Sequence, residues 1–239
     1  MPRPLAILLP PSEGKAPGGT GPGWDPASGR FGERLATRRT AIARTLARAR
    51  GGDQRLLGAK GETLERARAA NRALIGAPCL PAGERFTGVV WDHLDLAGLR
   101  PAARTRAVDA IVVVSALAGL VAVDDPLPDH RLKLSASLPR LGNVATYWRD
   151  ELTAVLDEHL DGHLVIDLLP REHAAAWRPD PDRYDLRRVE LRTRDGKPGG
   201  HFAKAAKGRL ARALIEARSP TATLARWHDD DHVVVINGV

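Results

Sequence analysis

The sequence predicts an α/β (α+β) fold, a single compact domain in which helices flank a mixed β-sheet. Short apolar runs typical of buried strands alternate along the chain with longer amphipathic segments typical of helices. A length of 239 residues and a hydrophobic content of 43% suit a folded protein with a sizeable core. Because no repeat of fixed period is present, we treat residues 1–239 as one domain.

Strands are predicted where a short run of apolar or alternating residues is bounded by turn residues. Largely apolar runs predict buried strands at residues 5–9, 111–114 and 164–168. Alternating patterns predict half-exposed strands at 130–134 and 187–194, and a further run predicts a last strand at 233–236. Residues 86–91 suit either a strand or the entry to a helix.

Helices are predicted at residues 33–50, 104–108, 144–160 and 203–218. In the first of these, Leu35, Ile42 and Leu46 share one face, and two glycines at 51–52 end the helix. Residues 53–75 read as a short helix, a tight turn and a second helix, so this segment is predicted to be a helical hairpin.

The positive charge is concentrated in one segment. Residues 30–72 contain twelve Arg or Lys and four Asp or Glu, a net charge of +8, whereas the whole chain carries +7. Such a segment favours anionic partners, namely nucleic acid or phosphorylated small molecules.

The predicted hairpin at 53–75 resembles the helix-hairpin-helix modules that bind DNA. In those modules, glycines let the backbone approach a phosphate, and amides at the start of the second helix donate to it. Here glycines flank a turn that carries Lys60, and three arginines surround it, namely Arg55, Arg66 and Arg68. These four residues are DNA-binding candidates; the alternative is an ordinary helix turn with solvated arginines.

A second group of candidates follows the ends of predicted strands. It comprises Ser12, Glu13 and Lys15 after the first strand, Ser115 after the second, Glu172 after the third, and Arg131. Where a sheet is largely parallel, ligands bind beyond the carboxyl ends of its strands, so these side chains are predicted to line one anion site. The alternative is that each lies on an ordinary solvated loop.

Chemical roles follow from the residue types. Lys15 is the candidate nucleophile or anion anchor, and Glu13 or Glu172 is the candidate general base. Residues 12–15 lack the spacing of a phosphate loop, and no Ser or Thr follows Lys15, which excludes ATP hydrolysis of that type. Lys204 and Lys207 begin the last long helix three residues apart and could face one anion, although a solvated cationic face is the alternative.

Neither a metal nor another cofactor is predicted. The ligand types at residues 228–232 have a purely local spacing, and the single cysteine, Cys79, excludes both a Cys-based zinc site and an internal disulfide. No targeting segment and no apolar run of membrane-spanning length is apparent. We therefore expect a cytoplasmic protein that does not enter a membrane, with no obligate protein partner evident.

Several of these stretches, taken in order, resemble the YaaA family of peroxide stress proteins. They are residues 8–15, 57–62, 86–90, 115–120, 130–132, 147–148, 172–173 and 203–208. The resemblance implies a compact α/β domain with a helix-hairpin-helix-like element and a positively charged cleft. It also implies a cytoplasmic protein that binds double-stranded DNA and limits oxidative damage during peroxide stress, with no established reaction.

The chain departs from the pattern of that family at three positions. Ala118 and His173 stand where tyrosine is usual, and Lys207 stands where arginine is usual. Because imidazole titrates near neutrality, His173 joins Lys204 and Lys207 as an anion-binding candidate and favours a shifted ligand or a specialised role.

Two functions stay open. The first is binding of double-stranded DNA or a nucleotide-like anion in a basic cleft. The second is an enzyme that acts on a nucleobase, a nucleotide or another small anion with Ser12, Glu13, Lys15 and Glu172.

Overall fold

A six-stranded mixed β-sheet forms the centre of the fold. This computed structural model describes residues 3–193, 195–196 and 203–237. The strands of the sheet are β1 (Leu5–Leu9), β3 (Ile111–Ser115), β4 (Gly119–Ala122), β8 (Leu164–Asp167), β9 (Asp185–Thr193) and β10 (His232–Asn237). Two short ribbons pair β2 (Cys79–Pro81) with β5 (Pro126–Pro128), and β6 (Ser137–Leu138) with β7 (Gly142–Asn143).

The strand order is β10-β9-β8-β1-β3-β4. β1 runs parallel to β3 and to β8, and β8 runs parallel to β9. The edge strands β4 and β10 are antiparallel to their neighbours. The predicted mixed sheet is therefore confirmed.

Helices cover both faces of the sheet. On one face lie α1 (Gly32–Arg48) and α7 (Val144–His159); on the other lie α5 (Val89–Leu94), α6 (Pro101–Ala110), α9 (Ala203–Glu216) and α10 (Pro220–Arg226). The predicted helical hairpin is present as α2 (Gln54–Leu57) and α3 (Gly61–Arg72), called the α2–α3 hairpin below. Connections contain α4 (Ala82–Arg85), a 3₁₀ turn (Leu96–Gly98) and α8 (Arg171–Ala174).

Each central strand contributes alternate side chains to two hydrophobic cores. Along β1, Ala6 and Leu8 lie in the core beneath α1 and α7, whereas Ile7 and Leu9 lie in the core beneath α5, α6 and α9. Successive side chains of a strand point to opposite faces, and helices bury both faces here. The strand is therefore apolar throughout, which is why a continuous apolar run predicted it.

The predicted strand at residues 130–134 is wrong. The segment is irregular, although Leu132 and Leu134 are buried and Arg131 and Lys133 form ion pairs. The side chain of Asn71 forms hydrogen bonds with both backbone groups of Arg131. Its Nδ2 donates to the carbonyl oxygen at 2.8 Å, and its Oδ1 accepts from the amide at 3.0 Å. The alternation of charge therefore reflects two different neighbours rather than pairing in a sheet.

Smaller differences concern element ends. Both interpretations of residues 86–91 apply in part. Phe86 is extended and forms an isolated bridge with Lys15, and the helix α5 begins at Val89. The helices predicted at 33–50 and 203–218 end two residues earlier, at Arg48 and Glu216. Residue 194, the last of the strand predicted at 187–194, lies outside the described residues. In the described ranges, no helix has the length and apolar character to cross a bilayer.

Candidate functional site

The carboxyl ends of β1, β3 and β8 lie at one edge of the sheet, called the carboxyl edge below, because the three strands are parallel. Just beyond β8, the amide of Leu168 donates to the carbonyl oxygen of Leu8 at 3.1 Å, which joins two of these ends. The segments that contain Ser12, Ser115 and Glu172 therefore leave the sheet at the edge where ligands of parallel sheets usually bind.

Lys15 is largely buried just beyond β1. Its Nζ donates to the carbonyl oxygen of Ser12 at 2.8 Å and lies 5.6 Å from the centre of the Phe86 ring. Burial lowers the pKa of Lys15 from 10.5 to about 7; the charge of Asp129 partly opposes this effect, and that of Arg131 adds to it. A substantial fraction of the amine is therefore neutral near pH 7, which makes it a candidate nucleophile.

Glu13 bridges two cations of the irregular segment at 130–134. Its carboxylate oxygens lie 2.8 Å from Nη2 of Arg131 and 2.8 Å from Nζ of Lys133. The hydrogen bond from Lys133 lowers the pKa of Glu13, with the charges of Lys133 and Arg131 adding to it and partial burial opposing it. The ionised carboxylate thus occupies donors that would suit a phosphate oxygen equally well.

The α2–α3 hairpin is fastened to this group of charges by arginines. Nε of Arg131 donates at 2.9 Å to the carbonyl oxygen of Leu57, the last residue of α2. From α3, Nη2 of Arg66 donates to the carbonyl oxygen of Lys15 at 2.8 Å and to Oδ2 of Asp129 at 2.9 Å. The hairpin therefore borders the loop at residues 12–15.

The turn of the hairpin approaches the same charges. Gly58 ends α2 with φ of 57°, and a Cβ atom added there would lie 3.1 Å from Nζ of Lys133. Both the backbone conformation and the space therefore favour glycine. Below, the cation cluster means Lys15, Arg66, Arg131 and Lys133, which the structure brings together from three distant segments of the chain.

The hairpin has its own small apolar contacts and an exposed basic surface. Asp53 caps α2 by accepting from the amide of Leu56 at 2.8 Å, and a small core consists of Leu57, Ala59, Leu64 and Ala67. Of the DNA-binding candidates, Arg55, Lys60 and Arg66 are exposed. Arg68 is half-buried and donates to the carbonyl oxygen of Gly52 at 3.0 Å.

Two buried polar residues that sequence reasoning missed hold this region in place. Asn71 joins α3 to Arg131 and also donates to the carbonyl oxygen of Gly51 at 3.0 Å. Arg39 of α1 donates to four carbonyl oxygens, those of Pro26, Ser28, Ala118 and Leu120. Each is a polar residue on the apolar stripe of its helix, and that position was the signal available in the sequence.

Not all of the positive charge in residues 30–72 is available to a ligand, and Arg39 is the example. It is 1% exposed, so its charge cannot meet a ligand from solution. Burial lowers the pKa of Arg39 to about 10, and the charge of Asp125 opposes this effect. Part of the predicted basic segment is therefore structural.

A second group of charges lies just beyond β8. Nζ of Lys207 donates to the carbonyl oxygen of Leu168 at 2.6 Å, and Nε of Arg188 donates to Oδ2 of the buried Asp167 at 3.2 Å. Burial lowers the pKa of Lys207, and Asp167 opposes this effect. Burial and then the charge of Lys207 lower the pKa of His173 to about 4, so the imidazole is neutral at physiological pH.

The remaining candidates occupy separate positions at this edge. Ser115 is buried, and its Oγ accepts from the amide of Ala118 at 3.3 Å. Glu172 is exposed in α8, 3.7 Å from Nδ1 of His173, and Lys204 is exposed in the first turn of α9. In the part of the chain that the structure describes, no hydrogen bond or ion pair joins Ser115, Glu172 or Lys204 to the cation cluster.

Other surface features do not coincide with the predicted residues. An open hollow of about 540 Å³ at α10 is lined by residues that include Arg218, Trp227 and His228. Among the described residues, no group of three His, Cys, Asp or Glu side chains could hold a metal ion. At residues 228–232, Asp229 instead contacts Arg209 and His232.

The fold and its edge define a three-layer α/β protein with a helical hairpin fastened to a cation cluster beyond the first strand. The chain matches the family model described as "Peroxide stress protein YaaA" over residues 5–232, so it belongs to the YaaA family of peroxide stress proteins. It is 36% identical over 217 residues to a UPF0246 protein of Streptomyces coelicolor, covering 88% of this chain and 83% of that protein. It is 34% identical over 229 residues to a UPF0246 protein of Corynebacterium efficiens, covering 94% and 91% of the two chains.

Proposed function

We propose that this protein binds double-stranded DNA through phosphate contacts at the α2–α3 hairpin and the cation cluster. In this proposal it acts in the cytoplasm and limits oxidative damage to DNA during peroxide stress. The observation that carries the proposal is a set of contacts around Arg131 and Lys133. Both side chains pair with Glu13, and Arg131 also donates to the hairpin at Leu57. These contacts bring cations from distant segments of the chain onto one surface. Membership of a family of peroxide stress proteins supports the physiological setting.

The openness of this surface favours a long polyanion over a free nucleotide. The side chains of Glu13, Arg66 and Lys133 are 62%, 50% and 37% exposed, and they surround the largely buried Arg131 and Lys15. Small-molecule sites usually bury about 70–90% of the ligand surface, which an open arrangement of this kind does not provide. A DNA backbone needs only a surface along which successive phosphates meet successive cations.

The test is the salt dependence of binding to a short duplex, measured by fluorescence anisotropy. For each phosphate contact, the logarithm of the association constant falls with a slope of about 0.9 against the logarithm of salt concentration. Lys60→Ala and Arg55→Ala are each expected to reduce that slope by about 0.9, because both side chains are exposed on the hairpin.

Arg3→Ala is the matched control. Arg3 lies two residues before the start of β1, at the opposite edge of the sheet, and its side chain is 57% exposed. The control removes the same charge and is expected to leave the slope nearly unchanged. Equal slopes for Arg3→Ala, Lys60→Ala and Arg55→Ala would show that the hairpin does not contact DNA. An absence of salt-dependent binding by the wild type would reject the proposal.

An enzyme that acts on a nucleobase, a nucleotide or another small anion is the second candidate. The observation that favours it is the dehydrated amine of Lys15, which lies beside Ser12 and Glu13. Perturbed titration of this kind is common in catalytic sites. A thermal shift of the wild type with nucleotides, absent in Lys15→Met, would support this function; equal shifts or none would count against it.

A further inference from the structure

Lys15 is set apart from the other cations of the cluster by its lack of a carboxylate partner. Arg131 and Lys133 hold Glu13, and Arg66 holds Asp129. In the described residues, no carboxylate lies within ion-pair distance of Nζ of Lys15, whose hydrogen bond goes to the carbonyl oxygen of Ser12. Among the four cations of the cluster, Lys15 is the member without a direct ion pair in the described residues, although the charges of Asp129 and Glu13 act on it from a greater distance.

The surroundings of Lys15 suit a nucleophile better than an anion anchor. Its side chain lies against the Phe86 ring and Lys15 is 9% exposed, so the amine is largely dehydrated but the residue is not sealed from solvent. Burial brings its pKa to about 7, so roughly half of the molecules carry a neutral amine with a free electron pair at that pH. A neutral lysine amine reacts readily with a carbonyl carbon.

The neighbouring cations indicate which carbonyl compound would fit. Arg66 donates to the backbone of Lys15 itself, Arg131 lies near enough for its charge to lower the pKa of Lys15, and Arg131 and Lys133 both hold Glu13. An aldehyde that reaches Lys15 while a phosphate lies on each side of it would satisfy both the amine and these donors. The ring-opened deoxyribose of an abasic site in DNA has this form, with an aldehyde at C1′ between a 5′ and a 3′ phosphate.

We propose that the amine of Lys15 captures the aldehyde of an abasic site in duplex DNA as an imine. The nitrogen attacks C1′ to give a carbinolamine, the C1′ oxygen leaves as water, and a C=N bond replaces the C=O bond. Addition of water reverses the step and restores the amine and the aldehyde, so no oxidant or reductant is consumed. The inference rests on the proposed DNA binding and adds to it a specific lesion and a specific atom.

The proposal agrees with the peroxide-stress setting of the family. Radicals formed from peroxide attack deoxyribose and bases and leave abasic sites, so this lesion accumulates under the same stress. The cations would bind the phosphates, and the neutral amine beside them would react with the aldehyde. Recognition would therefore depend on the lesion and not on the base sequence. Contacts to base edges are not required for this mode of recognition.

Borohydride trapping tests the proposal directly. The full chain is incubated with a duplex that carries one abasic site, and sodium borohydride reduces any imine to a stable amine that links protein and DNA. The intact duplex of the same sequence and the omission of borohydride are controls. We expect an adduct only with the abasic duplex and borohydride, mapped by peptide mass spectrometry to Lys15.

Lys15→Arg keeps the positive charge but cannot form an imine, and it is expected to reduce the adduct by about tenfold or more. Mapping of the adduct in the wild type gives the same information without relying on the folding of a variant. An adduct that maps to other amines, or one that persists in Lys15→Arg, would overturn the proposal.

Three further outcomes separate the two proposals. Binding of intact duplex without any trapped adduct rejects the imine and leaves the DNA-binding function standing. A wild type that binds no duplex rejects the DNA-binding function and the imine with it. Pyridoxal phosphate serves as the small phosphorylated aldehyde: reduction of its imine on Lys15, with no adduct to abasic duplex, would assign the amine to a small molecule and overturn DNA as the source.

Discussion

Replacing Lys15 by methionine is expected to stabilise the folded protein near neutral pH and to change how its stability depends on pH. Burial disfavours the charged form of the amine, whereas methionine has a similar length and no charge to dehydrate. Five titratable or charged groups face Lys15 and contribute to the result: Glu13, Arg85, Asp129, His130 and Arg131.

The magnitude follows from the two pKa values of Lys15, which are 10.5 ordinarily and about 7 in the folded protein. At roughly 1.4 kcal/mol for each pH unit between them, burial of the charged form costs at most about 5 kcal/mol below pH 7. Between the two values the unfolded chain binds more protons than the folded chain, so the stability of the wild type rises with pH. From about pH 7 to about pH 9.5, the wild type should gain about 3 kcal/mol relative to Lys15→Met.

The absolute difference at neutral pH is smaller than this cost. Methionine leaves the carbonyl oxygen of Ser12 without its donor, a loss of about 1–3 kcal/mol. We therefore expect Lys15→Met to be more stable than the wild type by about 2 kcal/mol near pH 7, and less stable near pH 10.

Urea unfolding at about pH 7, 8 and 9.5 measures these differences, with Lys60→Met as the control for loss of a lysine from an exposed position. The reasoning is refuted if the difference in free energy of unfolding between the wild type and Lys15→Met stays constant, within about 0.5 kcal/mol, over this range.

Three further predictions concern the partners of the site. Arg39→Met is expected to lower the free energy of unfolding by about 3 kcal/mol or more in urea, because four carbonyl oxygens, three of them in buried hydrogen bonds, lose their donor. Glu13→Gln is expected to raise the affinity for duplex DNA by about tenfold in anisotropy titrations, because Arg131 and Lys133 lose a competing carboxylate. Asn71→Ala is expected to cost about 2 kcal/mol and to speed hydrogen exchange at the amide of Arg131, which loses its acceptor.

Each of these predictions has a clear contrary result. Arg44 is exposed, so Arg44→Met should change the free energy of unfolding little. A loss equal to that of Arg39→Met would show that the hydrogen bonds of Arg39 do not stabilise the fold specifically. A weaker affinity of Glu13→Gln would mean that the carboxylate organises the two cations rather than competing with phosphate. Unchanged exchange at Arg131 in Asn71→Ala would show that the segment keeps its shape without this side chain.

Local patterns predicted most of the elements because strands and helices have short periods. The run at 5–9 is apolar on every residue because both faces of a covered sheet are buried, and α1 follows the stripe of Leu35, Ile42 and Leu46. The same logic failed at 130–134, where alternation arose from a side chain of α3 and a loop carboxylate. Periodicity reports which residues are buried, and it does not report what buries them.

The positions of the candidate residues in the fold were predictable in part. The parallel order of β1, β3 and β8 brought Ser12, Glu13 and Lys15 to the same edge as Ser115 and Glu172, as residue position alone indicated. The direct partners were not predictable in the same way. Lys133, Asp129 and Asn71 belong to the site through contacts, and no motif marked them.

The order of apolar runs, the glycine turn of the hairpin and the concentration of arginine at 30–72 are properties of the sequence alone, because each depends on neighbours within a few residues. The pairing of Glu13 with Arg131, 118 residues apart, and the dehydration of Lys15 against Phe86 were decided only by the tertiary structure. Ion pairing and dehydration depend on which surfaces pack together, and the spacing of residues along the sequence does not determine this packing.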